Sequence, residues 1–197
     1  METKFEELIS SFIENKIGIS DHFISAALAG RLRENLMNLD KEDQMKMACI
    51  GNKLLKDPEQ KKRGDKIFWI DNRTQDISER ALLNQIDQFI VYLNDSCYTS
   101  INAYEFHYAL YETGSSYSRH KDQFQDNRDR KFSLVHYLNT DWLIEDGGEL
   151  LIYQGDRTKK IHPHMQKAVF FQSSHTEHEV SKASRPRMSI TGWLKSI

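Results

Sequence analysis

Apolar residues recur along the first half of the chain with the period of a helix and along the second half with the alternation of strands. Phe5, Leu8, Ile9, Phe12 and Ile13 fall on one side of a 3.6-residue spiral. Ile24, Ala27, Leu28, Leu32 and Leu36 repeat that stripe behind the capping candidates Ser20 and Asp21. Leu82, Leu83, Ile86, Phe89, Ile90 and Leu93 give the most regular one. From position 104 the runs shorten: 104–111, 131–138, 149–153, 168–172, 179–181 and 188–194 read as strands. The turn-forming stretches 112–116, 139–148 and 155–160 separate them. Residues 63–71 (RGDKIFWID) add a strand candidate inside the helical half. Strands gathered after helices predict an α+β, mainly β chain: a barrel or jelly roll buttressed by N-terminal helices. A single domain is expected over 1–197, with 1–100 as mainly helical support and 101–197 as the core that carries the chemistry.

Composition narrows the function classes. With 39% apolar and 11% aromatic residues and only 9 Gly and 3 Pro, the chain is unlike disordered or collagen-like sequences. Its 27 Lys+Arg against 29 Asp+Glu leave a charge of −2, which gives no bulk attraction to nucleic acid. No apolar run reaches the roughly 18 residues of a membrane span, and the acidic, amphipathic start lacks the pattern of a secretory leader. A cytoplasmic protein is expected, with Cys49 and Cys97 as buried thiols in helix-like segments and not as a disulfide. The basic run Lys61-Lys62-Arg63 is short and reads as a solvated loop.

Eight histidines raise the question of which converge with a carboxylate. In an extended segment or its exit turn, His120 and Asp122 point to the same side. His178, in a later β-like run, supplies a third ligand. Two histidines and one carboxylate form the facial triad of non-haem Fe(II) oxygenases, which leaves coordination positions open for co-substrate and dioxygen. His162, His164 and His175 offer a competing zinc set. His107 and His136 lie among apolar strand residues and read as core histidines, and Glu177 and Glu179 as solvated flanks of His178.

A 2-oxo acid that chelates such an iron needs a cation for its far carboxylate. Along 187–193 the odd-numbered residues share a face, and Arg187 can hold a carboxylate through two parallel hydrogen bonds. Arg185 competes, but Pro186 disturbs the strand beside it. Tyr137 can add a hydroxyl, and Trp193 either packs or borders a substrate channel.

With these residues assembled, the sequence resembles the 2-oxoglutarate- and Fe(II)-dependent dioxygenases of the prolyl 4-hydroxylase superfamily. More narrowly it resembles the hypoxia-inducible-factor (EGL-nine type) prolyl hydroxylases and their bacterial relatives. The resemblance rests on Tyr111, Gly114 and Tyr117 ahead of His120-x-Asp122, on Tyr137-Leu138-Asn139, Asp141-Trp142, Gly147-Gly148 and His178-Glu179-Val180, and on Arg187 with Ile190-Thr191 and Trp193. Arg63-Gly64-Asp65-Lys66-Ile67-x-Trp69 resembles a segment preceding a mobile loop over the active site. The resemblance implies a double-stranded β-helix with iron on His120, Asp122 and His178. It implies 2-oxoglutarate on Arg187 with Tyr137 and Tyr111, Thr191 beside that pocket, and Arg130 in contact with a peptide. O2 would be the second co-substrate and ascorbate a reductant, with succinate and CO2 released.

Gln123-Phe124-Gln125 stands where the animal enzymes carry an asparagine and a proline-containing turn, and the stretch from Tyr111 to His120 is one residue shorter, which points to a bacterial-type member. The leading expectation is hydroxylation of a prolyl residue in a protein, lying near Trp193 and Arg130 beneath a loop after Trp69. Oxidation of another side chain or a small molecule, and a non-catalytic metal-binding β-helix, are the alternatives.

Overall fold

Helix α1 (Glu2–Asn15) lays Phe5, Leu8 and Ile9 into the core, whereas Ile13, expected on the same stripe, turns outward at 62% exposure. Lys16, at φ 60, breaks the helix and leads into β1 (Ile17–Ser20), a strand not foreseen in the helical half. Ser20 therefore ends a strand, and the cap of α2 (Ala26–Lys41) is Ser25, whose hydroxyl accepts the Leu28 amide. β2 (Lys46–Met47) and β3 (Asp65–Trp69) follow. Asp76 then caps α3 (Ile77–Cys97) through the amides of Ser78 and Glu79. In this computed structural model the described residues are 2–48, 63–123 and 128–197, so Cys49 lies outside them. Cys97 is half-buried at the end of α3.

The second half supplies β4 (Ala103–Tyr111), β5 (Tyr117–His120), β6 (Arg130–Tyr137), β7 (Leu150–Gln154), β8 (Arg157–Ile161), β9 (Ala168–Gln172), β10 (Glu177–Val180) and β11 (Arg187–Lys195). A seven-stranded sheet runs β1-β9-β6-β11-β4-β3-β2 and a four-stranded sheet β5-β10-β7-β8. The chain is a mainly β jelly roll buttressed by helices. β8 corrects the expected turn over 155–160. Only the tip is a turn, with Gly155 at φ 61, and the charged run after it pairs with β7 as an outer strand.

The alternation of strand residues divides the interior in two. Phe106, Tyr108, Leu110, Leu134, Phe170 and Ile190 face the helices. Ala109, Tyr111, Val135, Tyr137, Val169 and Phe171 face the smaller sheet, and the cleft opens on that inner side. No long loop follows Trp69: Asp71 accepts the Arg73 amide in a turn and α3 starts at Ile77. The longer connection joins β2 to β3 and contains residues 49–62, outside the described ones.

Candidate active site

β10 pairs with β5 so that His178 and His120 are direct cross-strand neighbours, with ring centroids 4.3 Å apart. Asp122 brings Oδ1 to 3.5 Å from His120 Nε2 and 3.6 Å from His178 Nε2. Among the described residues this is the one group of three potential ligands that converges. His162 and His164, with ring centroids 6.0 Å apart, belong to no group of three potential ligands among the described residues, and His175 pairs with the Ser174 hydroxyl.

Each of these two histidines sits two residues after the carbonyl that its Nδ1 meets: Ser118 at 2.7 Å for His120 and Thr176 at 3.1 Å for His178. A carbonyl only accepts, so Nδ1 carries the proton and both Nε2 lone pairs turn towards the Asp122 carboxylate. The second oxygen of Asp122 accepts from the Ser133 hydroxyl at 2.6 Å, and that hydroxyl lies 2.9 Å from the Ser173 hydroxyl. Burial opposes charge on Asp122. Positive charge on the imidazoles when they are protonated, together with the Ser133 hydroxyl, outweighs it and holds the carboxyl well below the usual range. Burial lowers His178, which favours the neutral form a metal needs. Three oxygen and nitrogen donors converging from one side fit a ferrous ion with open positions.

Along the inner face of the large sheet, Arg187, Ser189, Thr191 and Trp193 alternate as the shared-face expectation requires. Arg187 is 2% exposed, donates from Nε to the Gly148 carbonyl at 2.8 Å, and lies against the rings of Tyr111 (5.2 Å) and Tyr137 (5.0 Å). It has no ion pair among the described residues. The Tyr137 hydroxyl beside it is buried with no hydrogen-bond partner among the described residues, as is Ser189 Oγ. Burial raises the Tyr137 phenol and Arg187 partly offsets this. A buried guanidinium without a counter-ion, next to orphaned hydroxyls, fits an incoming carboxylate. Arg185 is excluded from that part: it reaches the Asp141 carbonyl and Asp146 over an outer loop.

Thr191 sits directly across from His107, and both line the cleft, whose space, open solvent at the mouth included, is about 480 Å³. The half-exposed Trp69 packs on His107 (4.8 Å) near Trp193 (6.1 Å). Arg130 lies 3.5 Å over the Trp193 ring and grips Glu105 with two nitrogens. His107 is nearly inaccessible, and burial, with Arg63 and Arg130, lowers its pKa to about 3.

Arg63 is no solvated loop residue. It forms a two-pronged pair with the fully buried Asp65 at 2.7 and 3.0 Å and covers the Tyr117 ring, which stacks on His120. Glu177 bonds Arg119 and so is only partly free in solvent. Sequence reasoning missed Ser133 and Ser173. Their sole signal is a small polar residue at an inward position of an apolar strand or its end.

The pattern of the 2OG-Fe(II) oxygenase superfamily matches residues 106–195. A prolyl 3,4-dihydroxylase of Ostreococcus tauri is 36% identical over 81 residues, 33% of this chain and 16% of that protein, so the match spans about a sixth of its length. Among solved structures, a prolyl-4-hydroxylase of Pseudomonas putida is 30% identical over 97% of this chain and 98% of its own, with a TM-score of 0.88. A prolyl hydroxylase of Trichoplax adhaerens, in complex with a hypoxia-inducible-factor peptide fragment, shares the fold at 24% identity and a TM-score of 0.88, covering 99% and 90% of the two chains. With a relative matched nearly end to end and a converging His, Asp and His at the mouth of a jelly roll, this chain belongs to the 2OG-Fe(II) oxygenase superfamily.

Proposed function

We propose that this chain is an Fe(II)- and 2-oxoglutarate-dependent dioxygenase that hydroxylates a prolyl C–H bond in a protein or peptide. The observation that carries the reading is Arg187: a buried cation, with no carboxylate partner among the described residues, in the same cleft as His120, Asp122 and His178. Iron with 2-oxoglutarate and O2 supplies the oxidation, one oxygen atom entering the C–H bond and the other the succinate formed with CO2.

The chain's own residues position and exclude. His120, Asp122 and His178 grip the ion from one side and leave the opposite side to the co-substrates. Arg187 holds the far carboxylate of 2-oxoglutarate, with the Tyr137 hydroxyl as a further donor and the Tyr111 ring as a wall. Thr191 and Trp193 border the route to the metal, and the exposed face of Trp69 offers a flat apolar surface to a proline ring. The relatives named as prolyl hydroxylases, one of them seen with a peptide, support a protein or peptide substrate.

The test is anaerobic addition of Fe(II) and 2-oxoglutarate, followed through the visible charge-transfer band of the chelate, then admission of air with proline-containing peptides and assay for succinate and hydroxyproline. His178→Ala should lose the band and the turnover. Arg187→Ala should raise the 2-oxoglutarate Kd at least about 10-fold, since a charged hydrogen bond is lost, and leave Fe(II) binding within about twofold. A wild-type protein that binds Fe(II) but gives no response to 2-oxoglutarate would sink the reading.

A further inference from the structure

We infer that Arg130 is a positioning residue of the metal site, holding the main chain of Asp122 from the cleft mouth, and is not the cation that docks the substrate. This rests on the proposed metal reading of His120, Asp122 and His178.

All three guanidinium nitrogens donate within the chain. Nε and Nη2 donate to one oxygen of Glu105 at 2.9 and 2.6 Å, Nη1 donates to the Asp122 carbonyl at 3.2 Å, and the flat face covers Trp193 at 3.5 Å. Glu105 is held on its other oxygen by Lys195 at 3.4 Å. β4, β6 and β11 lie side by side here: Trp193 is the cross-strand neighbour of Glu105, and Lys195 that of Arg130. The side-chain network thus ties three strands at the mouth, and Nη1 is its link to the metal-bearing turn.

Among the described residues, that turn is fastened by the bonds of Asp122 and Gln123, one of them from the Gln123 side chain to the Arg128 carbonyl at 3.1 Å. Asp122 presents its carboxylate to Ser133 and its carbonyl to Arg130, the Gln123 amide donates to the Ser173 carbonyl at 3.1 Å, and the Gln123 side chain returns to the Arg130 carbonyl at 2.9 Å. A planar fork can serve Glu105 and Asp122 at once while lying on an indole; the single ammonium of a lysine cannot. Released from Arg130, Asp122 would keep its chemistry and lose the placement that a metal demands.

Direction makes the test sharp. Removing a nearby positive charge should, through Coulomb's law alone, tighten the hold on a divalent cation. Loss of a positioning bond should loosen it. The probe is Mn(II), added to the full chain without 2-oxoglutarate, the free ion being counted by its EPR signal. Arg130→Gln should raise the Mn(II) Kd about 10-fold. Arg130→Lys, which keeps the charge and loses the fork, should raise it nearly as much; it also serves if the Gln variant fails to fold. A Kd unchanged or lowered in these variants overturns the inference, and an unchanged Kd with a raised peptide KM would restore the docking role. A wild-type protein that does not bind Mn(II) one-to-one would instead overturn the metal reading, and this inference with it.

Discussion

Asp122 is a buried carboxylate whose two oxygens have separate tasks: Oδ1 faces the histidines and Oδ2 is held by Ser133. The Ser133 hydroxyl fixes which oxygen is left to face the two histidines, and Ser173 fixes the hydroxyl in turn. Ser133→Ala should raise the metal Kd by about 10-fold while the metal-free fold melts within a few degrees of wild type; an unchanged Mn(II) isotherm would contradict that assignment. At this scale the three residues that converge were legible, because a His-x-Asp pair and a later His carry their chemistry in their identity. Ser133 and Ser173 were not, because a serine in a strand has many uses and only its neighbour selects one. Arg63 misled for the same reason: its charge read as solvated until Asp65, two residues on, proved buried beneath it.

β11 is the element on which the two interiors meet. Arg187, Thr191 and Trp193 line the cleft, and the even residues Ile190 and Leu194 pack towards the helices. Gly192 faces the helical side against Phe106, where a Cβ would stand 2.1 to 2.4 Å from three ring atoms. Phe106 is 1% exposed and packed against Tyr104 and His136, so it has little room to yield. Gly192→Ala should cost about 2 to 3 kcal/mol, measured by urea unfolding; a loss below 0.5 kcal/mol would show that the ring moves freely. The alternation along β11 was plain in the sequence. β8 was not, since an outer strand with charged, exposed side chains lacks the apolar signature that marks strands at all.

Across the whole molecule, the helical layer seals one face of the large sheet and buries His136 between Phe23 and Phe106 with neither ring nitrogen partnered. Burial lowers its pKa from 6.5 to about 3. Between those values the unfolded chain binds the proton and the folded one does not, so acid favours unfolding. This contribution to stability is whole above pH 6.5 and declines by about 1.4 kcal/mol for each pH unit below it. His136→Leu should flatten the fall of unfolding free energy between pH 6.5 and 4.5 by about that slope; a parallel fall in both proteins would refute it.

The order and type of most elements, the pairing of His120 with Asp122 and the inward face of Arg187 followed from the sequence alone, because periodicity and side-chain chemistry act over a few residues. Which strands lie side by side, and therefore that His178 meets His120 while Ser133 reaches Asp122 and Arg130 meets Glu105 and Trp193, only the tertiary structure decided. Those contacts join residues far apart in the chain, where register and burial, and no local preference, determine who faces whom.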